Sequence, residues 1–145
     1  DAVELSALRL EELQPLIDAL PCLDPHRFSY VSFHAPSWFP PESEEWVLGH
    51  LKTVAARHFH HFPIIPYIVH PDAIANPDRW KEPGSSLAIE NMDKRKPIGR
   101  NVKELREVFE RLPKAGFCFD IGHASFHAAQ AFRPLGWRSG STDST

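Results

Sequence analysis

Five residues that can bind a metal ion lie at the ends of short apolar runs in this chain. Residues 64–69 run into His70, for example, and residues 87–89 run into Glu90. The full set is His34, His70, Glu90, Asp120 and His123. Imidazole nitrogens together with carboxylate oxygens suit Zn, Mn or Fe. A single His after an apolar run is usually structural, whereas the repetition predicts a site for one divalent metal or for two adjacent ones.

Two further residues lie close to this set in the sequence. Trp38 falls in the loop after the strand that ends at His34, on the side expected to face a substrate. It is a candidate aromatic wall for substrate, although simple packing would explain it equally well. Asn91 follows Glu90 and is a candidate for substrate binding or for orienting a ligand, with a turn as the alternative.

The elements that must position these residues alternate along the chain. Short continuous apolar runs are typical of buried parallel strands. They alternate here with stretches of helical spacing, in the order β-α-β-α-β-(short α)-β-α-β, which predicts an α/β fold with about five parallel strands and crossover helices. The C-terminal ends of such strands lie together, so the ligand candidates would meet at one edge.

Two helices are well marked. One begins near Ser43 and carries acidic residues at its positive end, namely Glu42, Glu44 and Glu45. In the other, Asn101 is the predicted cap and Glu104 stands three residues later, as in a capping box. Its apolar face holds Val102, Leu105, Val108, Phe109 and Leu112.

The chain is too short for a closed TIM barrel, which needs eight strand–helix units in about 250 residues. Residues 1–124 are therefore predicted to form a partial barrel. Residues 125–145 end in small polar residues and are predicted to be an irregular or disordered tail. An incomplete barrel has two open sheet edges, which predicts possible self-association.

The composition is that of an ordinary soluble domain. The 145 residues are 42% hydrophobic and 24% charged, with a net charge of −3. This balance gives no reason to expect nucleic-acid or membrane binding, and no apolar stretch approaches the length of a membrane span. No signal peptide is visible and Cys22 and Cys118 do not resemble a disulfide framework, so a cytoplasmic location is expected.

A second group of histidines, His58, His60 and His61, lies at the end of a predicted helix just before a strand. That position is at the opposite end of the strands from the other candidates. A solvated helix end is the favoured interpretation of this group.

The chain resembles the first half of the xylose-isomerase-like TIM-barrel superfamily. The motifs that carry the resemblance are His34-Ala35-Pro36, Val69-His70-Pro71, Ile89-Glu90-Asn91 and Cys118-Phe119-Asp120-Ile121-Gly122-His123-Ala124. That superfamily holds sugar and sugar-phosphate isomerases and epimerases as well as the endonuclease-IV family of phosphodiesterases. The similarity runs from about residue 3 to residue 124, which is most of the chain.

The resemblance implies a role for each ligand candidate. His34 and His70 would share a metal with Glu90, which would bridge to a second metal bound by Asp120. His123 would bind a third metal or contact substrate, and Glu90 and Asp120 would be the catalytic carboxylates.

The reaction stays open between hydrolysis of a phosphoester and isomerisation or epimerisation of a sugar or sugar phosphate. The two His positions fit the endonuclease-IV side better, although the acidic net charge argues against tight binding to DNA. The ligands that the family carries on later strands are absent. A non-catalytic fragment and an interaction module are therefore the alternatives.

Overall fold

Five short strands form one sheet. The computed structural model describes residues 1–24, 27–58 and 65–124. The strands are β1 (Ala2–Ser6), β2 (Tyr30–His34), β3 (Tyr67–Val69), β4 (Leu87–Glu90) and β5 (Gly116–Cys118). Their order in the sheet is the order in the chain, and every neighbouring pair is parallel. The prediction of an α/β fold with five parallel strands is confirmed.

Helices make three of the four connections between strands. They are α1 (Leu10–Ala19), α2 (Glu44–His58) and α3 (Val102–Arg111). The connection from β3 to β4 contains three short 3₁₀ turns, Pro71–Ala73, Arg79–Lys81 and Gly84–Ser86. Its prolines explain the absence of a longer helix, because proline removes a backbone donor and clashes in a helix interior.

The two faces of the sheet differ in polarity because successive side chains on a strand point to opposite faces. One face packs against the helices through an apolar core that includes Val31 and Phe33 of β2 and Val69 of β3. The alternate positions of β2 are Ser32 and His34, and in the register of β1 these pair with Glu4 and Ser6. The second face is thus polar on β1 and β2, and it carries the ligand candidates His34 and Glu90.

Leu13 of α1 and Val47, Leu51 and Val54 of α2 are fully buried in the core. The helix predicted to begin near Ser43 is therefore confirmed. Asn101 caps α3 as predicted, because its Oδ1 accepts a hydrogen bond of 3.0 Å from the Glu104 N–H. The residues within α3 itself include none that is fully buried, so its apolar side is only partly covered.

The sheet is open over the residues that the structure describes. β1 pairs only with β2, and β5 pairs only with β4, so each has a free edge. The architecture is an open parallel sheet rather than a closed barrel. The predicted tail, residues 125–145, lies outside the described residues.

None of the helices in the described part of the chain combines the length and the apolar character that a membrane crossing requires.

Candidate metal centre

The parallel strands bring all five ligand candidates together at the C-terminal ends of the strands. His34 is the last residue of β2 and Glu90 is the last residue of β4. His70 follows β3 directly, and Asp120 comes two residues after β5. His123 lies in a helical turn over 121–124.

Three of these side chains form a tight cluster around Glu90. Glu90 Oε2 is 3.2 Å from His34 Nε2 and 3.0 Å from His70 Nε2. The three side chains are between 6% and 9% exposed. Ligands that bind one tetrahedral zinc ion at about 2.0–2.1 Å are separated by roughly 3.4 Å. The two nitrogens and the shared oxygen therefore have the chemistry and spacing of a metal ligand set.

The tautomer of His34 is fixed by its surroundings. His34 Nδ1 is 2.7 Å from the Ala35 carbonyl oxygen, which can only accept, so Nδ1 carries a proton and donates. Nε2 is then the nitrogen that can bind a metal, and a carbonyl partner on the other nitrogen is usual for a ligating histidine.

The same two contacts of His34 also determine the charge of the metal-free cluster. His34 Nε2 also faces an acceptor, Glu90 Oε2, and a neutral imidazole has only one N–H. Burial disfavours the charged imidazole, but the hydrogen bonds with Glu90 and with the Ala35 carbonyl outweigh it and raise the pKa of His34. A positive charge at Nε2 thus suits this position.

Glu90 is ionised over the whole physiological range. Burial alone would raise its pKa, but the hydrogen bonds with His34 and His70 prevail and lower the pKa of Glu90 to about 2. A buried carboxylate that stays charged is suited to binding a cation.

A second group of potential ligands shares Glu90. One ligand atom each from Glu90, Asp120 and His123 lies within 4.8 Å of the others. His123 Nδ1 is 4.0 Å from Glu90 Oε1 and donates a hydrogen bond of 2.7 Å to the Asn91 carbonyl. Asp120 Oδ1 accepts a hydrogen bond of 2.7 Å from the His123 N–H. Glu90 is thus the residue that the two groups of potential ligands share.

Asn91 joins the ends of β4 and β5. Its Nδ2 donates to the Asp120 carbonyl at 2.9 Å, and its Oδ1 accepts from the Asp120 N–H at 2.7 Å. The amide side chain therefore pairs with the Asp120 backbone and continues the strand pairing beyond β5. These contacts make Asn91 a positioning residue for Asp120.

Trp38 lies in the loop after β2, at the same edge as the cluster, and its side chain is 63% exposed. Its ring is not packed into the core, whereas the next residue, Phe39, is buried and stacks on Trp80. The His58, His60 and His61 side chains lie outside the described part of the structure.

Asp93 is a buried carboxylate beside the site that the sequence patterns did not identify. Its carboxylate accepts hydrogen bonds from Nε and Nη2 of Arg95 and from the Arg95 N–H. These contacts hold the pKa of Asp93 well below its usual range. Its position three residues after Glu90, beyond the same strand end, was the available signal.

Two buried side-chain atoms in the described residues lack a hydrogen-bond partner: His70 Nδ1 and Asp72 Oδ1. Unpaired buried polar atoms are rare in proteins and often mark functional sites. His70 belongs to the cluster, and Asp72 follows it by two residues in the first turn after β3.

These shifts predict how the metal-free protein responds to pH. The pKa of Glu90, about 2, is below its ordinary value of 4.5, so its stabilisation is full above about pH 4.5 and is lost as the pH falls towards 2. The pKa of His34 is above 6.5, so its stabilisation is full below pH 6.5 and is lost as the pH rises through the folded value.

Urea unfolding in the presence of a chelator measures this effect. The free energy of unfolding of the wild type is expected to exceed that of a Glu90→Gln variant by about 3 kcal/mol near pH 5. This difference should shrink towards pH 3. A difference that is constant across this range would show that the Glu90 charge is not stabilised by the histidines.

Comparison with known proteins found no match to this chain. No family model, no curated protein and no solved structure matches the chain.

Proposed function

We propose that the chain binds divalent metal at the C-terminal edge of its sheet and forms part of a metal-dependent enzyme. The observation that carries the proposal is the position of Glu90. Its buried, ionised carboxylate contacts two imidazole nitrogens through one oxygen and faces His123 through the other. A purely structural role would need only one of the two imidazole partners that Oε2 has.

The residues divide into two ligand groups. His34, His70 and Glu90 would hold one ion, and Glu90, Asp120 and His123 would hold a second. A divalent ion in such a site supplies Lewis acidity and lowers the pKa of a bound water. Zn, Mn and Fe all suit two imidazoles with carboxylates.

The remaining roles belong to the chain's own side chains. Asp120 is the proposed proton-transferring carboxylate, and Asn91 fixes its backbone through two hydrogen bonds. The Ala35 carbonyl fixes the His34 ring, and the Asn91 carbonyl fixes the His123 ring. Trp38 is proposed as an aromatic surface for substrate, because it is exposed in the loop that follows His34.

The proposed substrate is a sugar, a sugar phosphate or a phosphoester, as in the xylose-isomerase-like superfamily. We further propose that the open sheet is part of a barrel of that type. Two features support this: the helices cover one face, and ligands emerge from consecutive strand ends. The open edge at β5 favours an alternative, a metal-binding fragment without catalysis, since one side of the site has no further strand in the described residues.

An activity assay on the metal-loaded chain tests the proposal. The probes are bis(p-nitrophenyl) phosphate for phosphodiester hydrolysis and an aldose phosphate for isomerisation. We expect turnover of one probe that is lost in chelator and falls by more than about 100-fold in Asp120→Ala, while the surface variant Glu107→Ala keeps it. Turnover of neither probe by metal-loaded protein would refute catalysis and leave the non-catalytic alternative.

A further inference from the structure

A basic loop follows β4, at the end of the sheet that carries the metal-ligand candidates. We define it as residues 94–100, in which the basic residues are Lys94, Arg95, Lys96 and Arg100. The loop contains no acidic residue, whereas the rest of the chain has more acidic than basic residues. The segment that leads into it contacts the second ligand group, because the Asn91 carbonyl accepts the 2.7 Å hydrogen bond from His123 Nδ1. Positive charge is therefore concentrated beside the candidate metal centre.

The basic loop is closed on itself and fixed to the segment that follows β3. The Met92 N–H donates a hydrogen bond of 2.8 Å to the Gly99 carbonyl. Gly99 has a φ of +88°, and a Cβ there would lie 2.6 Å from Pro71 Cγ, so only glycine fits this close approach. Lys96 Nζ donates at 2.9 Å to the Asp72 carboxylate. These contacts give the loop a defined position beside the strand ends.

Arg95 is oriented by the carboxylate of Asp93. Asp93 accepts hydrogen bonds from Nε and Nη2 of Arg95. The Asp93 side chain is 5% exposed, whereas that of Arg95 is 71% exposed. A carboxylate that accepts two such bonds fixes the plane of a guanidinium. The protein therefore holds an oriented guanidinium at its surface, with the exposed Lys94 next to it in the chain.

We propose that Arg95 and Lys94 bind the phosphate group of a phosphorylated sugar whose reacting part lies at the metal centre. This inference rests on the proposed function, and it selects the sugar phosphate among the candidate substrates. A phosphate monoester carries a charge of about −1.5 to −2 near pH 7, which suits two neighbouring cations. Its oxygens also match the planar donors of a guanidinium. A neutral sugar offers neither feature.

Nucleic acid is the other phosphate-bearing ligand that a basic loop could bind, and the charges of this loop disfavour it. Tight binding to nucleic acid needs contacts with many phosphates. Lys96 and Arg100 already pair with Asp72 and Glu104, and they are only 31% and 39% exposed. The loop therefore matches a single phosphate group rather than a strand of them.

The test measures binding of ribose 5-phosphate and of ribose to the full chain by isothermal titration. Metal is first removed with a chelator, which is then dialysed away, so that failure of this inference is distinguishable from failure of metal binding. The wild type is expected to bind ribose 5-phosphate at least about tenfold more tightly than ribose. Arg95→Gln should weaken phosphate binding about tenfold. Arg106→Gln removes the same charge from the exposed surface of α3 and should bind like the wild type.

An Asp93→Asn variant separates an oriented arginine from simple charge attraction. The variant removes a negative charge beside Arg95, so charge alone would tighten the binding of ribose 5-phosphate. Because Asp93 orients the guanidinium, we expect binding to weaken instead, by about threefold or more. Tighter binding in this variant would overturn the positioning of Arg95 by Asp93.

Three further results would overturn the proposal. One is equal affinity for ribose 5-phosphate and ribose, and another is an Arg95→Gln variant that binds ribose 5-phosphate as tightly as Arg106→Gln does. The third is a DNA duplex that binds more tightly than ribose 5-phosphate and loses this binding in Arg95→Gln, because the loop would then serve nucleic acid. Far-ultraviolet circular dichroism of each variant checks that any loss of binding is not unfolding.

Discussion

Replacing Glu90 by alanine is expected to weaken Zn²⁺ binding by more than about 100-fold. Loss of an outer partner of a ligand already costs 10–100-fold, and Glu90 would itself be a ligand. Glu90 is also common to the two ligand groups found among the described residues, so this single change should remove the metal bound by both groups. Isothermal titration of the folded variant with Zn²⁺ measures the loss.

A comparison with Asp120→Ala sharpens this prediction. Asp120 belongs only to the second group, so its variant should keep one equivalent bound through His34, His70 and Glu90. The exposed Glu107→Ala provides the control for removing a carboxylate, and its binding should match the wild type. If Glu90→Ala bound Zn²⁺ as tightly as Glu107→Ala, the ligand assignment would be wrong.

The second large effect is expected at Glu44, which belongs to neither ligand group. Glu44 begins α2, and its side chain is almost completely buried. Its Oε1 accepts hydrogen bonds from the Ala75 N–H at 2.9 Å, the Asn76 N–H at 3.0 Å and Trp80 Nε1 at 2.8 Å. One carboxylate thus ties the start of α2 to the connection between His70 and β4.

Glu44→Ala is expected to lower the free energy of unfolding by about 3–5 kcal/mol. Each of the three donors would lose its acceptor, and a buried donor without a partner costs about 1–3 kcal/mol. Domains of this size are stable by only about 5–15 kcal/mol, so the loss is a large fraction of the total. Urea unfolding followed by Trp fluorescence measures it, since Trp80 is one of the donors.

The neighbouring Glu45→Ala is the matched control. Glu45 lies in the same first turn of α2 and is exposed, so its loss should cost less than about 1 kcal/mol through the helix dipole alone. Glu44→Gln keeps an acceptor oxygen and should fall between the two. Equal free energies of unfolding for Glu44→Ala and Glu45→Ala would show that the hydrogen bonds to Glu44 do not stabilise the fold.

The sequence was enough to predict the strands and the meeting of the metal-ligand candidates at the C-terminal ends of the strands. Both depend on the local pattern of apolar residues. Continuous apolar runs indicated parallel strands, and the residues that end them had to share one edge. Strand limits were less predictable: the run 117–119 suggested a strand through Phe119, whereas β5 ends at Cys118.

Long-range partners could not be predicted. Three glutamates at the start of α2 are equivalent in the sequence, and only the fold distinguishes Glu44 by placing the Trp80 loop against it. Asn91 is a similar case. From the sequence alone it is a candidate for substrate binding or for orienting a ligand, with a turn as the alternative. Its partner is the Asp120 backbone, which depends on how β4 and β5 are placed side by side.

The most direct test of the metal centre is X-ray absorption at the zinc edge of the Zn²⁺-loaded chain. The structure predicts two imidazole nitrogens and at least one carboxylate oxygen at about 2.0–2.2 Å, with no sulfur ligand. The imidazole signal should disappear in a His34→Ala, His70→Ala double variant. A sulfur shell at about 2.3 Å, or a spectrum of zinc bound only to water, would show that the His34–His70–Glu90 cluster does not hold the metal.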